Sequence, residues 1–385
     1  MLRYITLAGL MVLPLLFVGC GGGDGKGTGG NVGGRGTGTE TTASPKTTAG
    51  KKRLIFLTNG DDPFWDTCNA GLQDGAKQMK LEAAGYSIVM DKGNFKIDGQ
   101  IDKLRQYATE PDIVGIAISV VQADNKTIAD ELKALQAQGK KVITVDGDLN
   151  RMRFRDSRTY YIGTDNFVGG KTLGTALNKI LAGRQISKGG YYQFAGFTDN
   201  DNARSRMNGV QEGVGKDYED LGRKPDQGDR NKAADNVRTA LDNDEEKITA
   251  LVGIWAYNAP AIADVVSERK VRSKVSVATF DAAKDAITAM SAGNIDVMVV
   301  QNPFDMGVQS VRLLKAMCEN DEKTVKEMFP NEGKEDGDVF TTGLRVVVPD
   351  DKSPVKATDF DPQVVEFMTL EQFKLWLAKY KLVSS

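Results

Sequence analysis

From residue 53 onward, short apolar runs alternate with amphipathic helical patterns, and this alternation restricts the possible folds more than any other feature. Residues 54–57 show no polar alternation, which is typical of a strand buried on both faces. Strands of this kind that alternate with helices form parallel sheets. The first series of strands is predicted near 54–58, 86–90, 112–118 and 141–145, and the second near 159–162, 189–194, 249–255 and 275–279.

The repeated series predicts an α/β protein with two doubly wound, Rossmann-like parallel-sheet domains, and a chain of 385 residues is long enough for two. The basic stretch 148–158 separates the two series and is predicted to be a solvated crossover. A strand at 295–300, a helix at 304–317 and a strand near 340–348 follow. The tail from 359 has apolar residues at helical spacing and predicts a final helix.

Composition excludes several classes of function. Lys and Arg total 50 against 52 Asp and Glu, so no basic face for nucleic acid is expected. The chain has no histidine, which removes Ser-His and Cys-His nucleophiles and His-containing zinc sites. Its three cysteines are far apart in sequence and predict neither a disulfide framework nor a metal cluster. We therefore expect no metal, no cofactor and no enzymatic activity.

The N-terminus predicts export. Residues 1–20 combine an early basic residue, an apolar run and a small residue before Cys20, as in a signal peptide. The end of this segment resembles the lipobox of bacterial lipoproteins, which implies that Cys20 becomes the lipidated first residue of the mature protein. Residues 21–52 are rich in Gly and Thr and predict a disordered tether.

The first candidate site follows the first strand. Asp62 can cap the next helix and Pro63 suits its first position, so Phe64 and Trp65 lie in the first helical turn. The carboxyl edge of an open parallel sheet is where ligands bind. A carboxylate suits sugar hydroxyls, and aromatic faces suit the C–H surface of a sugar. The sequence leaves equally open that the two aromatic residues belong to the core.

Together, the export signal, the tether, the two domains and the strand-end motifs resemble the periplasmic sugar-binding proteins of ABC importers, of the ribose- and galactose-binding type (periplasmic binding protein type I). The resemblance covers roughly residues 53–345. It implies two lobes that face each other across a ligand cleft and are joined by a three-segment hinge, expected near 147–164, 281–284 and 301–304. The implied domains are 1–20, the lipoprotein signal peptide; 21–52, the tether; 53–163 plus 302–340, the N-terminal lobe; and 164–301 plus 341–385, the C-terminal lobe.

The resemblance also implies a set of ligand contacts. Asp62, Phe64 and Trp65 match the family's first-strand motif, and Asp146 matches the strand-terminal acid that accepts sugar hydroxyls. The remaining matches are Arg204 at a helix start, Asp281 as the acid of the second domain and Gln301 on the last crossing. Two positions depart from the family pattern. Gly147 stands where Arg is frequent. The segment from Trp255 to Asn258 replaces a usual Asn-Asp pair, and Trp255 or Asn258 is expected to make the ligand contact of that pair.

The function implied is a monomeric, lipid-anchored protein of the periplasm or cell envelope that captures a sugar and passes it to the transmembrane subunits of an ABC permease. Two alternatives remain open. The closed form could instead signal to a chemoreceptor or sensor kinase. The second alternative is a carbohydrate-active enzyme, in which Asp62, Asp146 and Asp281 would supply an acid and a base. The sequence does not identify the sugar.

Overall fold

Two sheets covered by helices organise residues 50–385, the part of the chain that the computed structural model describes. The strands are β1 (Lys52–Leu57), β2 (Tyr86–Asp91), β3 (Ile113–Ile118), β4 (Lys141–Val145), β5 (Tyr160–Gly163), β6 (Gly189–Ala195), β7 (Tyr218–Pro225), β8 (Ile248–Gly253), β9 (Ser276–Phe280), β10 (Val297–Val300), β11 (Val339–Thr341), β12 (Leu344–Val348) and β13 (Val365–Thr369). The predicted signal peptide, Cys20 and the tether up to residue 49 lie outside the described residues.

Helices connect most of these strands. They are α1 (Pro63–Gln78), α2 (Ile97–Thr109), α3 (Lys126–Ala137), α4 (Arg151–Phe154), α5 (Asn166–Gly183), α6 (Asp201–Val214), α7 (Arg230–Asp244), α8 (Asn258–Glu268), α9 (Lys284–Ser291), α10 (Pro303–Glu319), α11 (Glu322–Met328) and α12 (Leu370–Lys379). None of the helices within residues 50–385 combines the length and the apolar character needed to cross a membrane.

Sheet A has six strands in the order β11-β5-β4-β3-β1-β2, and sheet B has seven in the order β13-β12-β10-β9-β8-β6-β7. All neighbours in sheet A are parallel, and in sheet B only the β10–β12 pair is antiparallel. Residues 54–57 of β1 are buried, as expected for a strand covered on both faces. The predicted fold class of two parallel-sheet α/β domains is confirmed.

The chain passes between the two sheets three times, at residues 164–165, 301–302 and 342–343. The expected hinge segment at 281–284 was wrong, because these residues join β9 to α9 beside sheet B. The third crossing is instead the short link from β11 to β12. The strand predicted near 340–348 is divided there, since its two halves pair with different sheets.

Three further element predictions need correction. The tail is not helical from 359, because residues 365–369 form β13, which pairs in parallel with β12 before α12 begins at Leu370. The strand β7 was missed because its sequence is charged. It lies at the edge of sheet B, where most of its residues are only partly buried and a continuous apolar run is not required. The strand β1 begins at Lys52, one residue inside the predicted tether.

The C-terminal segment contacts elements beside both sheets. The ring of Phe304, in α10, lies 4.4 Å from that of Tyr380, which follows α12. The Thr67 hydroxyl, in α1, donates a hydrogen bond to the Ser384 carbonyl at 2.9 Å. Ser385 exchanges backbone hydrogen bonds with Ala282 just after β9. These contacts fix the tail beside the crossings rather than on the outer face of one lobe.

Candidate ligand-binding site

The candidate site is built from the carboxyl ends of parallel strands in both sheets. Asp146 directly follows β4 in sheet A, while Asp281 and Gln301 directly follow β9 and β10 in sheet B. The side chain of Arg206, from the second turn of α6, lies against the sheet-B residues. This edge of an open parallel sheet is the usual place for a ligand, because loops and helix starts converge there.

Arg206 is the central cation of the site. Its Nη1 lies 3.7 Å from Asp281 Oδ2, its Nε donates to Asn166 Oδ1 at 2.9 Å, and its guanidinium lies over the Phe280 ring at 4.0 Å from the centroid. Nη1 also donates to the Ile254 carbonyl at 3.3 Å. The side chain is 4% exposed. Burial lowers the pKa of Arg206, and the nearby carboxylates oppose that effect, so the guanidinium stays charged.

Arg204 does not take the position predicted for it. Its side chain is 56% exposed and pairs with Asp201 at 2.5 Å on the outer face of α6. Two residues along a helix correspond to a rotation of about 200°, so Arg204 and Arg206 face opposite directions. The buried residues Ala203, Met207 and Val210 mark the inner face of α6. Their spacing was the sequence signal that could have identified Arg206 as the inward arginine.

Asp281 and Gln301 form a buried pair beside Arg206. Gln301 Nε2 donates to Asp281 Oδ1 at 3.0 Å, whereas Gln301 Oε1 is buried and has no hydrogen-bond partner among residues 50–385. Burial raises the pKa of Asp281, and Arg206 and Gln301 act in the opposite direction. The pair therefore presents more acceptor atoms than the surrounding protein satisfies.

Asp146 brings the sheet-A lobe into the same site. Burial is the main cause that raises its pKa to about 6; the charge of Arg206 opposes the rise, and the charge of Asp281 adds to it. Because Arg206 and Asp281 belong to the sheet-B lobe, this coupling joins groups from both lobes. Asp146 and Asp281 also share a left-handed backbone, with φ of 62° and 63°. Such a conformation is uncommon outside Gly and Asn/Asp, and it often occurs at functional sites.

A buried ion pair stabilises the loop after Asp146. Arg158 Nη2 lies 2.6 Å from Asp148 Oδ2, and Arg158 Nη1 bonds Asp338, which precedes β11. The Arg158 side chain is 1% exposed, so the prediction of a solvated crossover at 148–158 was wrong at this residue. The Tyr161 hydroxyl adds a hydrogen bond to the Asp146 carbonyl at 3.1 Å. Tyr161 and Arg158 are supporting residues that the sequence did not indicate.

The first-strand motif divides between the site and the core. Asp62 caps α1 by accepting from the Phe64 N–H at 2.9 Å, and its charge contributes to the raised pKa of Asp281. Phe64 is partly buried. Trp65 is 2% exposed, packs on the Phe56 and Phe64 rings, and donates from Nε1 to Asn59 Oδ1 at 3.1 Å. This placement favours the core interpretation for Trp65.

Trp255 and Asn258 have different surroundings. Asn258 is fully buried; its Oδ1 accepts from the Trp255 N–H at 3.1 Å and its Nδ2 donates to Asp226 Oδ2 at 2.8 Å. Asp226, fully buried after β7, also accepts from the Tyr257 hydroxyl. Asn258 thus supports the loop that carries Trp255, and Asp226 is the supporting residue that sequence reasoning missed.

Trp255 itself is partly exposed within an aromatic group. Its ring centroid is 6.1 Å from Phe197 and 6.3 Å from Tyr257, and its Nε1 donates to Asn202 Oδ1 at 3.2 Å. The group lies at the carboxyl ends of the sheet-B strands, on the same edge as Asp281. It offers ring surface next to the charged cluster. Within residues 50–385, no three Cys, Asp or Glu side chains gather in a way that could hold a metal ion.

Comparison with known proteins identifies the family. Residues 54–322 match the family described as periplasmic binding protein domain. The chain is 23% identical over 286 residues to the ribose import binding protein of Escherichia coli (strain K12), which covers 70% of this chain and 86% of that protein. It is 23% identical over 273 residues to the D-allose-binding periplasmic protein of the same organism, covering 69% and 84%.

A solved structure shows the same fold. It is an ABC transporter solute binding protein from Burkholderia graminis C4D1M in complex with D-arabinose, and it superposes with a TM-score of 0.64 at 24% sequence identity. The match covers 80% of this chain and 100% of that one. Since the family match alone spans most of the chain, this protein belongs to the periplasmic binding protein domain family.

Proposed function

We propose that this protein is an extracytoplasmic solute-binding lipoprotein that captures a sugar in the cleft between its lobes and delivers it to an ABC importer. The observation that carries the proposal is the cluster formed by Asp146 from one lobe and Arg206, Asp281 and Gln301 from the other. Two relatives are named as a ribose import binding protein and a D-allose-binding protein, and these names support the same class of ligand.

The chemistry of the cluster suits a polyol. Each sugar hydroxyl both donates and accepts a hydrogen bond, so a sugar needs acceptors and donors side by side. Asp146 and Asp281 supply charged acceptors and Arg206 supplies charged donors, and hydrogen bonds to ionised groups are stronger than neutral ones. Phe64 and Trp255 offer ring faces for the C–H surface of the ligand. Asp62, the exposed cap of α1, adds a further acceptor from the sheet-A lobe.

Binding would close the lobes. A ligand held by Asp146 and by Asp281 contacts both lobes only when they are together, so it binds the closed form more tightly and shifts the population toward it. The three crossings at 164–165, 301–302 and 342–343 are the segments about which such a hinge motion can occur. A closed lobe pair is also a form that a permease could distinguish from the open one.

A screen by thermal shift tests capture. Pentoses, hexoses and cyclitols are each added to the wild-type protein, and a true ligand at 100 times its dissociation constant should stabilise the fold by about 2.7 kcal/mol. Small-angle scattering with the best ligand should show a smaller radius of gyration. A saturating ligand that leaves the radius unchanged would rule out closure as the mechanism.

Anchoring and delivery need separate tests. Mass spectrometry of the membrane fraction should find the mature protein starting at a diacylated Cys20, and an intact peptide from residues 1–19 would contradict this. Uptake of the labelled ligand by cells should stop when Asp281→Asn replaces the wild-type protein, with the Asp130→Asn variant as the matched control on the exposed face of α3. Normal uptake with a variant that no longer binds would mean that the protein does not feed the importer.

A further inference from the structure

The cleft carries more negative charge than its surroundings neutralise. Asp146 and Asp281 are the two carboxylates of the cluster, the charge of Asp281 adds to the raised pKa of Asp146, and Arg206 is the cation of the cluster, 3.7 Å from Asp281 Oδ2. The nearby cations outside the cluster are each paired with carboxylates of their own: Arg204 with Asp201, Lys92 with Asp61 and Asp66, and Arg158 with Asp148 and Asp338. Two carboxylates, Asp146 and Asp281, therefore share the guanidinium of Arg206.

The position after Asp146 supplies no second cation. It is occupied by Gly147, where a side chain would meet backbone, since an added Cβ would lie 2.7 Å from the Val120 carbonyl oxygen. The Gly147 N–H donates to the Ser119 hydroxyl at 3.2 Å. Ser119, the Cys68 thiol and Tyr161 are the uncharged groups that face Asp146 from its own lobe, while Arg206 and Asp281 face it from the other.

A buried acceptor without a hydrogen-bond partner also favours a ligand that carries donors. Gln301 is 4% exposed, and its Oε1 is buried without a hydrogen-bond partner among the described residues while its Nε2 is occupied by Asp281. A buried acceptor without a donor destabilises the ligand-free cleft, so a ligand that brings donors is favoured. An ammonium group brings three donors and no acceptor.

We infer that the ligand of this cleft is a polyol that carries a cationic amine, such as an amino sugar or an aminocyclitol, with the ammonium group placed among Asp146, Asp281 and Gln301. This inference rests on the proposed function, because it names the ligand class of the same cleft. A neutral sugar would leave one of the two carboxylates without a counter-charge. A sugar acid or a sugar phosphate would add charge of the wrong sign, so those classes are excluded.

The test compares ligands that differ only in hydroxyl and amine. Isothermal titration at pH 7 would use matched pairs such as glucose with glucosamine and galactose with galactosamine, together with 3-, 4- and 6-amino isomers. At least one amine should bind roughly tenfold or more tightly than its hydroxyl partner, the ratio expected for replacing a neutral hydrogen bond by a charge-assisted one. Its affinity should also rise between pH 5 and pH 7, as Asp146 loses its proton.

Two variants test whether Asp146 causes the preference for the amine over its hydroxyl partner. Asp146→Asn keeps the shape of the cleft and removes one charge, so it should weaken binding of the amine more than binding of its hydroxyl partner and lower the amine-to-hydroxyl ratio by roughly tenfold. Asp130→Asn removes an equal charge from the exposed face of α3, where it pairs with Lys126, and should leave the ratio unchanged. Melting curves of both variants would show that they are folded.

The possible outcomes separate this inference from the proposed function. Neutral sugars that bind in the cleft at least as tightly as every matched amine would overturn the amine inference and leave sugar capture intact. An amine preference that Asp146→Asn does not reduce would also overturn it, because the ammonium group would then lie elsewhere. Absence of binding by both neutral and amine-bearing polyols would refute the proposed function itself.

Discussion

Replacing Arg206 with Met is expected to destabilise the protein strongly. The change keeps most of the apolar stem but removes a guanidinium that lies 3.7 Å from Asp281 Oδ2 and over the Phe280 ring at 4.0 Å. Asn166 Oδ1 and the Ile254 carbonyl also lose their donor. Removing one partner of a buried ion pair typically costs about 3–5 kcal/mol, chiefly because the other charge stays buried without compensation.

The second half of this prediction is a double-mutant cycle. Asp281→Asn in the Arg206→Met background removes the stranded carboxylate, so the double variant should be destabilised by at least about 1 kcal/mol less than the sum of the two single variants. Both effects are measured as free energies of unfolding in urea, followed by circular dichroism.

Arg204→Met is the matched control. It removes the same type of side chain two residues earlier on α6, where the arginine is 56% exposed and pairs with Asp201. Exposed pairs of this kind contribute little, so the loss should stay within about 0.5 kcal/mol. If Arg204→Met costs more than Arg206→Met, or if Arg206→Met costs less than about 1 kcal/mol, the assignment of Arg206 as the buried cation is refuted.

Two further predictions concern the core and the pH dependence of stability. Trp65→Ala should cost about 3–5 kcal/mol, as for a large aromatic side chain removed from a core, and a variant that folds normally but loses ligand would instead assign Trp65 to the site. Asp146 has a pKa of about 6 in the folded protein against 3.8 unfolded, so keeping it charged costs about 3 kcal/mol above pH 6 and nothing below about pH 4. Asp146→Asn should therefore stabilise the ligand-free protein more at pH 7.5 than at pH 4.5 in urea titrations, and an equal gain at both pH values would contradict the burial of this carboxylate.

The sequence predicted the parts of the fold that depend on local pattern. The buried apolar run at residues 54–57 and the cap and proline at Asp62 and Pro63 act within a few residues, and the structure has the strand and the helix start there. The strands β7 and β13 were not predicted, because both are specified by pairing with a distant strand. The apolar residues of the tail are spaced as in a helix, but residues 365–369 form a strand because they pair in parallel with β12.

The sequence predicted some residues of the site and missed others. Acids that directly follow apolar strands, such as Asp146 and Asp281, are visible in the sequence because parallel strands end on one edge. The choice between Arg204 and Arg206 depends on the rotation of α6, which only its buried face determines. Asp226 could not be anticipated, because it contacts Asn258 across 32 residues of sequence and follows a strand that was itself missed.

The central claim is that one ligand is held by both lobes, and isothermal titration of two variants, one from each lobe, tests it most directly. Using the best ligand from the screen, Asp146→Ala and Asp281→Ala should each weaken binding by a factor of about 30 or more, which corresponds to the loss of about 2 kcal/mol or more for a charged hydrogen-bonding partner. Arg204→Met should bind as the wild type does. A ligand that loses affinity in one of the two aspartate variants and keeps it in the other would contact a single lobe, and the account of a shared cleft would be contradicted.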